Sequence, residues 1–123
     1  MDVAPQLDGL TRAALHAADE ILVVMVPTAS GVQDAYRTTE QLRHLGLRNL
    51  RYVVNRARGA VDVSVAMADL GGVVAAEIPE DLALVDAENH HRPEALHGRS
   101  AAAMELRRLA RRALRDDAVA AAR

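Results

Sequence analysis

The run Ile21-Leu22-Val23-Val24-Met25-Val26 is aliphatic throughout and is closed by Pro27. A strand with one wet face alternates apolar and polar side chains, so a run without polar interruption specifies a strand covered on both faces, as in a parallel sheet. Two further runs repeat the theme. Tyr52-Val53-Val54 forms the centre of a strand expected over residues 50–55, and Val73-Val74-Ala75-Ala76 leads into Ile78 and the stop at Pro79.

Helical periodicity fills the spaces between them. Residues 10–18 predict a short helix with Leu10, Ala13, Ala14, Ala17 and Ala18 inward. Ser30-Gly31-Val32-Gln33 has the form of a capping box, which predicts a helix start at Ser30. Val32, Ala35, Tyr36, Thr39, Leu42 and Leu45 mark its inward stripe, and Gly46 stands where a left-handed C-cap belongs. Weaker patterns predict helices over 61–70, closed by Gly71-Gly72, and over 82–88, capped by Asp81. Residues 90–98 read as irregular around Pro93. Ser100 caps a last helix, whose Leu106, Leu109, Ala110, Ala113 and Leu114 recur at helical spacing. Residues 116–123 are expected to fray, leaving 1–115 as one domain.

Strands alternating with helices imply right-handed crossovers and a parallel sheet. The fold class is therefore α/β, a three-layer arrangement of a small parallel sheet of about three strands with helices on both faces. Such a sheet has two open edges, and the 21–26 strand is too apolar for one of them. A neighbour is expected beside it, from another chain or from an upstream half of a larger domain.

Composition narrows the function classes. Half of the 123 residues are apolar, enough for a core, and the net charge of -2 gives no global pull towards nucleic acid or anionic lipid. Cysteine is absent, which removes disulfides, thiolate metal sites and a cysteine nucleophile. Every basic residue is arginine, and Tyr36 and Tyr52 are the only aromatics, so base stacking of single strands is not expected. No apolar run approaches the roughly 20 residues of a membrane helix. The start, Met1 to Pro5, lacks the features of a signal peptide, and a cytoplasmic location is expected.

Several short motifs, in order, then point the same way. Asp2-Val3-Ala4-Pro5, the Ala18-Asp19-Glu20 turn into the first strand, Val53-Val54-Asn55-Arg56, Ile78-Pro79-Glu80-Asp81, and Asn89 through Pro93 together resemble the carboxy-terminal part of ParA/MinD-like deviant P-loop ATPases, most nearly the CpaE-like and MinD-like branch. The resemblance implies the carboxy-terminal half of a P-loop NTPase-like fold. It also implies an ATP-binding protein that dimerises around its nucleotide and positions division sites, chromosomes or pilus machinery. By the same resemblance Asp2 would help to hold Mg2+, Asn55 with Arg56 would meet adenine at a strand end, and Pro79, Glu80 and Asp81 would pack against the base. Each has a plainer reading: Asp2 as a terminal aspartate, Asn55 satisfying loop amides, Pro79 as a strand stop and Asp81 as a helix cap.

The departures from that family are equally specific. Phosphate binding in P-loop proteins needs a glycine-rich loop followed by lysine, and this sequence contains no lysine. Without that charge, phosphoryl transfer loses much of its electrostatic stabilisation. The chain is thus not expected to hydrolyse ATP alone, and ATP with Mg2+ is implied by resemblance only. A homodimer, or a partner chain supplying the upstream half, follows as the expected assembly. A degenerate, non-catalytic interaction scaffold is the alternative; a standalone enzyme of other chemistry finds no convergent catalytic set.

Two clusters have bland readings. His90, His91 and His97, with Glu88 and Glu94 nearby, read as a solvated loop before a metal site. Arg107, Arg108, Arg111, Arg112 and Arg115 read as the solvated outer face of the last helix, with DNA-backbone or membrane-surface contact as the sharper options. Peripheral attachment to membrane or nucleoid would follow from those.

Overall fold

The computed structural model describes residues 7–58 and 60–121, the side chains at 60–62, 94, 97 and 116–121 excepted. Its elements in chain order are α1 (Gly9–Ala17), β1 (Ile21–Met25), α2 (Ala29–His44), β2 (Leu50–Ala57), α3 (Ala60–Leu70), β3 (Val73–Pro79), α4 (Leu82–Asn89), α5 (Glu94–His97) and α6 (Ala101–Ala121). The strands form one parallel sheet in the order β1-β2-β3, as the strand-helix alternation requires. Several boundaries differ from expectation, among them the end of β2, which runs on to Ala57 past residue 55. The stretch expected to be irregular holds the single turn α5, and helical backbone continues to Ala121 where fraying was expected from residue 116.

Local chemistry sets the helix starts. Asp8 caps α1 by accepting from the Thr11 backbone N–H at 2.8 Å, and that donor holds the Asp8 carboxyl below the ordinary aspartate range. Thr28, not Ser30, caps α2, accepting from Gly31 N–H at 3.1 Å. The two-residue advance follows from the tight exit of β1. A Cβ at residue 31 would overlap the Val26 carbonyl oxygen, so a glycine in the first turn lets α2 begin directly against the strand. At the other end of α2, Gly46 has φ 80. Its N–H donates to Arg43 O at 2.9 Å, and the Leu47 N–H donates to Leu42 O at 3.1 Å, closing the helix in the left-handed cap that the sequence predicts.

Side chains alternate along β2. Tyr52 and Val54 enter one core, with Leu15 from α1, Ala35 and Leu42 from α2, and Val63, Ala66 and Leu70 from α3. Val53 enters the other core, with Ala76, Ile78 and Ala102, joined by Leu106 and Leu109 of α6. Helices therefore cover both faces, and β2 is the strand buried between them. Full burial of an aliphatic side chain such as Val54 contributes about 1.5–3 kcal/mol.

β1 differs from its expectation. Val23 and Met25 are buried, but Val24 is 64% exposed and the strand lies at the sheet edge. The run is aliphatic because both faces can be covered. Within the described residues, however, α6 packs on β2 and β3 and leaves the Val24 face open.

The helix stripes also need correction. In α1 Thr11 and Leu15 turn inward and Leu10 is 75% exposed. Five residues apart on a helix, the two leucines point in different directions, and the alanines between them are too small to decide the face. In α2 Ala35, Thr39 and Leu42 are buried as expected, while Tyr36 is largely exposed. In α6 Ala102 and Ala103 are fully buried, but Ala110 and Leu114 are exposed.

Two arginines expected on the outer face of α6 turn inward instead. Arg107 donates to Gly98 O at 2.8 Å and Ala95 O at 3.1 Å, fastening the turn before α6. Arg112 donates to Ala75 O at 3.4 Å and to Glu20 Oε1 at 2.8 Å. The same carboxylate oxygen accepts Arg51 Nε at 3.0 Å. One glutamate thus joins the start of β1, the start of β2 and the middle of α6. Arg108, Arg111 and Arg115 remain exposed, with Arg108 paired to Glu105 at 3.1 Å.

Candidate functional site

In an open parallel sheet the ligand crevice lies beyond the carboxyl ends of the strands, where loops and helix N-termini converge. Here β1 leads through Thr28 into α2, β2 into residues 55–58, and β3 through Pro79–Glu80–Asp81 into α4. The register pairs Asn55 with Ile78 and Ala57 with Pro79, with an irregularity between the two pairs. Asn55 and the Pro79–Asp81 loop are therefore neighbours at one edge, as the sequence motifs require.

The irregularity has a local cause. Arg56 has φ 55, and its N–H donates to the Asn55 side-chain Oδ1 at 3.0 Å. That contact is the plain loop role of Asn55. The same contact commits the amide oxygen, while the amide NH2 makes no hydrogen bond among the described residues. At the carboxyl edge of the sheet Asn55 thus keeps amide donors suited to an acceptor atom on a ligand.

Glu80 is tied twice to β2. Its N–H donates to Ala57 O at 3.1 Å. Its carboxylate receives Arg58 Nε at 2.8 Å and an Arg58 terminal nitrogen at 3.4 Å, a two-pronged contact that fixes orientation as well as charge. Arg58 was not among the sequence candidates. An arginine just past the second strand and a glutamate just past the third are complementary, but only the strand register shows that they meet.

Asp81 stays a structural residue. Its Oδ1 accepts Ala83 N–H at 3.0 Å, capping α4, and its Oδ2 lies 3.5 Å from the Ala102 N–H at the start of α6. With both oxygens directed at helix N-termini, the side chain joins two elements at the crevice. Pro79 ends β3 as a strand stop. Arg56 is exposed, and Asp2 lies outside the described residues.

Elsewhere, an apolar groove of about 780 Å³ follows the β1 edge, lined by Leu15, Val23, Met25 and Leu42, with Thr28 and Asp34 near one end. Among the described residues no group of three or more His, Cys, Asp or Glu is placed to hold a metal. No helix among them is long and apolar enough to cross a membrane.

No family model matches the chain, and no curated protein matches it. Solved structures do. The Aquifex aeolicus MinD cell division protein superposes with a TM-score of 0.75 at 27% identity, covering 87% of this chain and 48% of that one. The same organism's MinC:MinD complex gives 0.74 at 30% identity, covering 88% and 48%. MinD from Pyrococcus horikoshii, complexed with Mg-ADP, gives 0.67 at 24% identity over 85% and 45%. A ParA family ATPase from Chlorobium tepidum shares the fold, at 0.69 and 14% identity over 81% and 44%. The chain spans about half the length of each of these structures. Strand order, the neighbouring strand-end motifs and these superpositions agree: the chain is a partial ParA/MinD-like domain, corresponding to its carboxy-terminal part.

Proposed function

We propose that the chain supplies the base side of an ATP site in a ParA/MinD-like protein, with Asn55 and the Pro79–Glu80 loop facing the adenine. The observation that carries this reading is the register placing Asn55 beside Ile78 and Ala57 beside Pro79 at the carboxyl edge of a parallel sheet. Asn55 contributes hydrogen-bond donors, and Asp81 holds the loop by anchoring α4 and α6. The P. horikoshii MinD bound to Mg-ADP supports the choice of ligand class.

The phosphate side does not fit these residues. With no lysine in the sequence, the groups that grip phosphate and complete hydrolysis come from a segment other than those described. We place that segment along the apolar groove beside β1, where a further strand would pair with the open edge of the sheet. Once completed, the protein would serve spatial positioning in the cell, as a cell-division or related positioning factor, with a protein partner or a second copy. A cytoplasmic location suits this role, with Arg108, Arg111 and Arg115 as the basic face available for peripheral contact.

Titration with a fluorescent ATP analogue and Mg2+ tests the reading. Saturable binding is expected, with Asn55→Ala weakening it about tenfold, the scale of one lost polar contact. ATP should also raise the melting temperature, because a ligand that binds only the folded state stabilises it. No binding and no thermal shift would turn the conclusion to a non-catalytic scaffold, which the apolar groove along β1 also suits.

A further inference from the structure

We infer that Arg58 is a specificity-determining residue of the base side, acting by keeping the Glu80 carboxylate out of reach of a purine. The inference rests on the base-site reading above. Its observation is separate: the two-pronged contact from Arg58 to both oxygens of Glu80, at 2.8 and 3.4 Å.

The chemistry follows from what each purine offers. A carboxylate is an acceptor-only group with two oxygens. Guanine carries an N–H and an exocyclic NH2 side by side on its Watson–Crick edge, which a carboxylate accepts together. Adenine has an acceptor nitrogen in place of that N–H, so a free carboxylate beside it meets lone pair with negative charge. A glutamate at the mouth of a purine site therefore selects guanine unless something engages it.

Three constraints keep Glu80 engaged here. Its own N–H is fixed to Ala57 O at 3.1 Å, which sets where its side chain starts. The next residue, Asp81, is pinned by Ala83 at 3.0 Å. Arg58 sits at the exit of β2, the strand that carries Asn55, so its guanidinium reaches across to β3 and faces the carboxylate with a matching fork. The side chains of Arg58 and Glu80 are 72% and 48% exposed, so as a stabilising ion pair the contact is worth little. Its consequence is selective: it neutralises and orients the one carboxylate of this loop that is not occupied by helix caps. The Asn55 amide, offering donors only, does not by itself distinguish the two purines, since both carry ring-nitrogen acceptors. Discrimination therefore falls to the neighbouring acceptor, and Arg58 removes it.

The test compares binding of fluorescent ATP and GTP analogues to the full protein and to the R58Q and R58Q/E80Q variants, at fixed Mg2+ and salt. R58Q is expected to shift the GTP-to-ATP affinity ratio about fivefold towards GTP, chiefly by tightening GTP. R58Q/E80Q should return the ratio to its original value, because the released carboxylate is gone. A structural role for Arg58 would weaken both nucleotides alike and leave the ratio fixed, and that result overturns the inference while the base site stands. If neither analogue binds the unsubstituted protein, the base-site reading fails and takes this inference with it.

Discussion

The Tyr52 hydroxyl lies 2.9 Å from the Thr39 hydroxyl, inside a core where each residue is only 1% exposed. The pair ties the middle of β2 to α2, so the only polar groups of that contact satisfy each other. Thr39 was expected inward from helical spacing alone; that it turns inward to meet a tyrosine is a product of the packing.

Removing one hydroxyl should therefore cost more than removing both. Thr39→Val leaves the tyrosine hydroxyl buried without its partner, a loss of about 1–3 kcal/mol. Combining it with Tyr52→Phe should recover part of that loss. Urea unfolding of the two single variants and the double variant measures the coupling; strict additivity would show the hydroxyls to be independent.

Gly72 lies under the Tyr52 ring, where an added Cβ would overlap the ring edge. Gly72→Ala should lower stability by about 1–3 kcal/mol through overpacking. Gly9 has open space around its missing Cβ, and Gly9→Ala is expected to be neutral or slightly stabilising as a helix residue. Thermal melts of the two variants side by side check the contrast.

Glu20 accepts from Arg51 and Arg112, residues far apart in sequence. Glu20→Gln should destabilise the fold by about 1.5–3 kcal/mol, the range for hydrogen bonds to charged groups. Glu105→Gln, which breaks a pair within one turn of α6 whose arginine is exposed, should cost under about 1 kcal/mol. Equal effects in chemical denaturation would contradict the role assigned to Glu20.

Asp8 sets a pH dependence. The Thr11 amide lowers its carboxyl pKa in the folded chain, so its stabilising contribution is present above the ordinary aspartate pKa. That contribution is lost as pH falls through the lowered value. Asp8→Ala should therefore lower the melting temperature at neutral pH and converge with the unsubstituted protein in strong acid. A melting difference that persists below the folded-state pKa would exclude the cap as its source.

Much of the architecture was legible because it rests on short-range chemistry. The aliphatic runs at β1, β2 and β3, the stops at Pro27 and Pro79, the Asp81 cap and the left-handed Gly46 are each decided by neighbours a few residues away. The candidate site was half legible. Asn55 and Pro79 were named from motifs, and both lie at the carboxyl edge of the sheet. Arg58 was missed because its meaning depends on which residue of β3 stands opposite, and pairing register is not written in either strand alone.

The remaining misreadings share that cause. Thr28 displaced Ser30 as the cap because Gly31 had to pass close to Val26, a contact between strand and helix. Leu15 prevailed over Leu10 because the sheet offered a pocket on only one side of α1. Arg107 and Arg112 looked outward by periodicity, yet carbonyls at Ala95, Gly98 and Ala75 and the Glu20 carboxylate waited within their reach. The sequence by itself determined which segments are strands and helices, because backbone preference and hydrophobic period act locally. Tertiary structure alone decided which polar side chains turn inward and which strand ends adjoin, because those depend on partners brought near only by the folded sheet.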